Sequence, residues 1–147
     1  MAMTSALEII TNKGNEIWSI SAGEMVLEAL KRMAQHDIGA LIVMEDSKPI
    51  GLFTERHYAR NVFLKGRSSP ETPVRDAMRE GFIHVRPDQD IDECMALMTR
   101  CKVRHLLVMD GDRLLGVLSI GDLVKSTIAD REFTIEQLSN YISGNAA

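Results

Sequence analysis

Two cysteines, one tryptophan, no block of basic residues and no long apolar run set the first limits on this chain of 147 residues. Cys94 and Cys101 stand seven positions apart on what reads as one helical face. That spacing is about two turns, too far for a disulfide on a straight helix, so both are expected as reduced core residues. No stretch of Lys or Arg is long enough to follow a phosphate backbone, and the net charge is −4, which argues against a nucleic-acid partner. The longest apolar stretches, such as Ala40 to Met44, fall far short of the ~20 residues that cross a bilayer. The N-terminus lacks a basic segment leading into an apolar run of roughly 7–15 residues. A soluble, cytoplasmic protein without membrane contact is the expectation.

Catalytic signatures are missing too. His36, His57, His84 and His105 are scattered, with no His-x-x-His or Cys-x-x-Cys spacing, so no metal is expected. No nucleophile elbow, P-loop or G-x-G-x-x-G fingerprint occurs, and no catalytic residue is assigned. The sequence reads as a binding module and not as an enzyme.

The chain does contain an internal repeat. Shifting it by 65 positions lays Ile17–Val62 over Phe82–Thr127 without a gap. Val26, Ala29, Leu30, Met33 and Ala34 fall on Ile91, Cys94, Met95, Met98 and Thr99, the stripe of an amphipathic helix. Each copy reads as strand, helix, strand, turn, strand, helix. In the first copy these are strands at Ile17–Ile20, Ala40–Met44 and Ile50–Phe53, with helices at Glu24–Gln35 and Glu55–Leu64. The hairpin turns are Glu45–Lys48 and Asp110–Arg113, where Asp-Gly supplies backbone freedom. The same shift puts Leu7–Lys13 over Thr72–Met78, so each repeat is assigned its own lead-in. The domains are therefore 7–66 and 72–130, followed by a C-terminal helical tail at 131–147. The tail is expected to start at Thr134, with capping-box spacing to Gln137, and to carry Leu138, Tyr141 and Ile142 as far as Gly144. A unit of about 60 residues with three short strands is marginal alone. The expected fold is α+β, with two pseudo-twofold related β-α-β-β-α repeats packed sheet to sheet into a disc.

Gly116-Val117-Leu118-Ser119-Ile120-Gly121-Asp122 and its twin Gly51-Leu52-Phe53-Thr54-Glu55-Arg56-His57 run a strand into a helix. Ser119 and Asp122 have the spacing of a helix cap. The same geometry suits a nucleotide: a helix N-terminus attracts phosphate, a hydroxyl adds a donor, and a carboxylate one turn on can accept from both ribose hydroxyls. A cap alone would not require the preceding glycine in the same frame.

On these residues the chain resembles a tandem pair of cystathionine-β-synthase-type (CBS) domains, a Bateman module, from about Leu7 to Lys125. The shared motif is Gly, two apolar residues, Ser or Thr, two variable residues and Asp. Ser119 and Asp122 fit it, with Gly121 at a variable position but assigned to the binding site, whereas His57 replaces the acid in the first copy. The resemblance implies clefts shared by the repeats. It assigns Lys13, Trp18, Ile38, Gly39 and Ala40 to the Asp122 cleft, and Met78, Ile83, Val103, Arg104 and His105 to the cleft of Thr54, Arg56 and His57. It implies a regulatory module for an adenosine nucleotide, AMP first, with ADP, ATP or NAD(H) as alternatives. A homodimer and an unidentified protein output partner complete the expectation. S-adenosylmethionine and a structural module with vestigial clefts are the other readings.

Overall fold

A computed structural model describes residues 4–14 and 16–142, the side chain of Tyr141 excepted. The chain divides into two compact units, one spanning Glu16–Phe82 and the other Met1–Asn15 with Ile83–Ala147.

In the first unit, β1 (Ser19–Ser21) lies parallel to β2 (Ala40–Glu45), which turns back antiparallel into β3 (Lys48–Thr54). Asp46 and Ser47 both take positive φ, 51° and 63°, the twist that a two-residue hairpin needs. Helix α2 (Val26–His36) lies between β1 and β2 in sequence and buries Val26, Ala29 and Met33, as its apolar spacing requires. With Ile20, Leu41, Val43, Phe53 and Val62 they form one core. The closing helix of this repeat departs from expectation. Regular α-helix covers α3 (Glu55–Tyr58), and Ala59–Phe63 then widens into a π-helical turn that buries Val62.

The second unit repeats the plan. Here β5 (His84–Val85) is parallel to β6 (His105–Asp110), which is antiparallel to β7 (Arg113–Ser119). Helix α4 (Ile91–Cys101) buries Ile91, Cys94 and Met98. Register shifts recur at Val43/Met44 and Val108/Met109, positions related by the repeat. Both cysteines are free; Cys94 is buried but Cys101 is half-buried, so only the first is a core residue. Burial pushes the Cys94 thiol up to about 11, with Asp90 and Glu93 adding to the rise, which leaves it unreactive at neutral pH.

Sequence repeat and compact unit differ in their lead-ins. Helix α1 (Ala6–Lys13) precedes the first repeat but packs on the second: Ala6 N–H donates to Gln89 O at 2.8 Å and Ile91 N–H to Thr4 O at 3.1 Å. The corresponding stretch before the second repeat joins the first unit. Val26 N–H donates to Thr72 O at 2.8 Å and Val74 N–H to Glu24 O at 2.8 Å. That stretch is a short 3-10 turn, Val74–Asp76, followed by β4 (Arg79–Glu80) on the edge of β3.

The tail is corrected as well. Helix α5 runs unbroken over Ile120–Ile142, so Thr134 lies within it, its hydroxyl donating to Asp130 O at 3.0 Å. No Gly or Pro interrupts residues 122–142, and nothing there stops the helix. Gly144 and the Tyr141 side chain lie outside the described residues. No helix among the described residues is long and apolar enough to cross a membrane.

Candidate functional site

Strand β7 delivers Ser119 to the start of α5, and two reciprocal bonds fix the junction. Asp122 N–H donates to Ser119 Oγ at 3.1 Å, and Ser119 N–H donates to Asp122 Oδ2 at 2.8 Å, a complete capping box. The last residue of α1 reaches the same carboxylate: Lys13 Nζ donates to Asp122 Oδ2 at 2.7 Å. One oxygen of Asp122 therefore serves both the cap and the lysine. Oδ2 is thus engaged twice, while Oδ1 takes no bond from the described residues.

Arg104 and His105 belong to this junction. Ile120 N–H donates to Arg104 O at 2.9 Å, and His105 is the cross-strand partner of Ser119. Burial lowers the His105 pKa; Asp122 opposes the shift, while Lys13 and Arg104 add to it. Burial alone would raise the pKa of Asp122, but its bonds from Lys13 and Ser119 outweigh this and hold the carboxyl below its usual 3.8. Both groups thus bind protons less readily folded than unfolded. Stability from His105 is complete above pH 6.5 and declines as pH falls through its folded value; stability from Asp122 is lost lower, as pH falls from 3.8 through its folded value,. Melting temperature should therefore fall between pH 7 and pH 5, and His105→Gln should make that fall shallower. An unchanged slope in the variant would remove His105 from the account.

The first unit builds the same junction with a different acceptor. His57 N–H donates to Thr54 Oγ1 at 3.2 Å, and Thr54 N–H donates to His57 Nδ1 at 3.1 Å. An imidazole nitrogen can accept where the other unit uses a carboxylate oxygen, so His57 takes over the capping role that Asp122 has in the other unit. Glu55 N–H donates to Gly39 O at 3.1 Å, and Ala40 is the cross-strand partner of Thr54. Arg56 is exposed.

The assigned residues are thus divided between the units. Lys13, Ile83, Val103, Arg104, His105, Ser119, Gly121 and Asp122 belong to one; Trp18, Ile38, Gly39, Ala40, Thr54, Arg56, His57 and Met78 belong to the other. Lys13, Arg104, His105, Ser119 and Asp122 converge on a single junction. Gly39 meets Glu55 and Ala40 meets Thr54, both in the motif of their own unit. Trp18 stacks on His36 with ring centroids 3.5 Å apart and packs with Ile38 and Met78 against the first core, while Ile83 and Val103 pack against the second.

The glycines before the two motifs have structural causes. A side chain on Gly51 would overlap the carbonyl oxygen of Arg79 in β4, and one on Gly116 would lie 3.0 Å from Ile10 Cγ2 in α1. A third atom group went unread in the sequence. A cavity of about 290 Å³ between α1 and α5 is lined by Thr4, Glu8, Asn12, Lys13, Asp122, Lys125, Ser126 and Asp130. Lys125 and Ser126 lie one turn after Asp122 on α5, and Asn12 precedes Lys13, so proximity along each helix was the available signal.

A family model described as "CBS domain" matches residues 7–63 and 74–128. The chain is 33% identical to the CBS domain-containing protein CBSX3, mitochondrial, of Arabidopsis thaliana, over 96% of this chain and 73% of that one. It is 27% identical to the CBS domain-containing protein YhcV of Bacillus subtilis, over 98% and 93%. A solved structure of a protein with CBS domains from Burkholderia ambifaria MC40-6 superposes with a TM-score of 0.82 at 45% identity, covering 86% of this chain and 96% of that one. Two matched repeats, two sheets of one plan and two capped strand-to-helix junctions agree: the chain belongs to the CBS domain family.

Proposed function

We propose that this protein is a non-catalytic regulatory module that binds an adenosine nucleotide, AMP first and ADP, ATP or NAD(H) as alternatives, through the junction of Ser119 and Asp122. The observation that carries the reading is the set of groups around one carboxylate. Lys13 and His105 gather at a helix start where Ser119 offers a hydroxyl, a combination suited to phosphate, and the Arg104 backbone carbonyl accepts from Ile120 N–H beside them,. Asp122 Oδ1 remains to accept from a ribose hydroxyl, and Lys13, already bonded to Oδ2, can transfer its charge to an incoming phosphate.

Binding then acts as a population shift: the ligand favours whichever state it contacts best, and that state is read by a partner or by self-association. A homodimer in the cytoplasm, with a protein output partner, is part of this proposal. The reading as a structural module draws on the caps themselves, which give Ser119, Asp122, Thr54 and His57 a role without any ligand.

Calorimetric titration with AMP, ATP and NADH, paired with thermal melts, separates the two. Ligand at about 100 times its dissociation constant adds roughly 2.7 kcal/mol to a state that binds it alone. Wild type should bind AMP, and Asp122→Ala should weaken it by about ten-fold or more, in line with a charge-assisted bond. Equal binding by Asp122→Ala would overturn the site, and silence with all three nucleotides would favour the structural module.

A further inference from the structure

Helices α1 and α5 belong to one unit and run antiparallel, tied across at each end of their seam. Thr4, just before α1, donates to Asp130 Oδ2 at 3.1 Å, and Lys13, the last residue of α1, donates to Asp122 Oδ2 at 2.7 Å. Between these ties lies the cavity of about 290 Å³. Facing helices ordinarily fill such a seam with interlocking side chains. Here Glu8 and Asn12 of α1 face Lys125 and Ser126 of α5, and Ile9 and Ala129 supply the apolar part of the lining. Glu8, Asn12 and Lys125 are exposed and Ser126 is half-buried. None of these four side chains has a hydrogen bond or ion pair among the described residues.

The other repeat bridges the same seam. A shift of 65 positions puts Asn61 on Ser126 and Ala77 on Asn12, and there Asn61 Nδ2 donates to Ala77 O at 2.8 Å. Serine has the shorter side chain, and Ser126 makes no such bond to Asn12 among the described residues. One repeat thus spans the seam with its own side chain, and the other leaves it open with a charge of each sign on its walls.

We infer that this groove binds a free aliphatic α-amino acid as its zwitterion, the ligand's ammonium on Glu8 and its carboxylate on Lys125. With Thr4 opposite Asp130 and Lys13 opposite Asp122, Glu8 falls opposite Ser126 and beside Lys125. An ammonium and a carboxylate on one carbon match that pair through charge-assisted bonds. The Asn12 amide and Ser126 hydroxyl both donate and accept, so either can add a bond to the same groups. Ile9 and Ala129 offer an apolar surface to the ligand's side chain. Since Lys13 and Asp122 are engaged with each other, Glu8 and Lys125 leave the stretch electrically balanced, and Glu8 with Asp130 repels a phosphate there. The volume lies at the lower end of the range for small-molecule sites, about 300–1,000 Å³, which suits a single amino acid.

The inference is independent of nucleotide binding. Isothermal titration of the full chain with L-leucine should show a single site. Isocaproate, which lacks the ammonium, and isoamylamine, which lacks the carboxylate, should each bind about ten-fold more weakly or worse. Glu8→Gln and Lys125→Met should each weaken L-leucine by a similar factor, with circular dichroism and melting temperature unchanged. Ser126→Asn installs the residue of the other repeat, and it should reduce L-leucine binding while raising the melting temperature, which a disrupted helix would not do. Absence of L-leucine binding, equal binding of either analogue, or full binding by Glu8→Gln and Lys125→Met would overturn the site. Displacement of L-leucine by AMP would make the groove part of the nucleotide site and would sink it as a separate one.

Discussion

Replacing Gly51 with alanine should destabilise the first unit by roughly 3 kcal/mol or more, near the upper end for single substitutions. The added Cβ would overlap the backbone oxygen of Arg79 and press on Met78 Cε at 3.1 Å. A backbone carbonyl in a strand cannot rotate aside as a side chain does. Strand β4 is held to β3 by the register pairs Gly51 with Glu80 and Leu52 with Arg79, and by Gly81 N–H donating to Ile50 O at 2.9 Å. The remaining relief is to peel β4 away and lose those bonds. Gly116→Ala provides the comparison, because its Cβ would meet Ile10 Cγ2 at 3.0 Å and Cδ1 at 3.1 Å. Ile10 can shift its side chain, so that variant should cost about 1–2 kcal/mol. Urea unfolding of both variants at matched m-values decides the matter. If Gly51→Ala costs no more than Gly116→Ala, β4 is not a fixed edge.

The same glycine shows where the sequence stopped being legible. Apolar periodicity located α2, α4, β2, β3, β6 and β7 to within two or three residues, because each element buries one face of a repeated pattern. Strand β4 left no such trace. It consists of Arg79 and Glu80, both exposed, and what defines it is the bare backbone of Gly51 across the sheet. The exchanged lead-ins were equally silent. A shift of 65 positions aligns Leu7–Lys13 with Thr72–Met78 whichever core each stretch packs on, and periodicity within a segment carries no record of its partner. Thr134 and Gln137 misled for the opposite reason: a good local start signal lies inside a helix that has nothing to end it.

At the candidate site, residue types were legible and their engagement was not. The pairing of Ser119 with Asp122 was readable from spacing, and so was the departure at His57. That imidazole Nδ1 could stand in for a carboxylate oxygen in the same cap follows from its acceptor capacity, but only the geometry shows it in use. The bond from Lys13 to Asp122 spans 109 positions. Family resemblance placed Lys13 near Asp122, yet no spacing rule would have found the contact or shown that it shares Oδ2 with the cap.

Phe53→Ala should cost about 3–5 kcal/mol, the range for removing a buried aromatic ring. Phe53 is 0% exposed, lies opposite Leu41 in the sheet and shares its core with Ile20, Met33 and Val62. It also stands immediately before Thr54, so loosening the end of β3 would reach the hydroxyl that caps α3. The repeat supplies an internal reference, since Leu118, equally buried, holds the matching place before Ser119. Phe53→Leu therefore installs the side chain that the other unit uses, and it should cost about 1–2 kcal/mol, with the residual loss reflecting space that a leucine leaves unfilled. Chemical unfolding of the two variants tests whether the ring is needed for its volume or merely for being apolar. Equal losses for Phe53→Leu and Phe53→Ala would mean that the first unit is packed around an aromatic shape. The expected ordering, with leucine far milder, would mean that the two repeats share one packing solution and that Phe53 enlarges it.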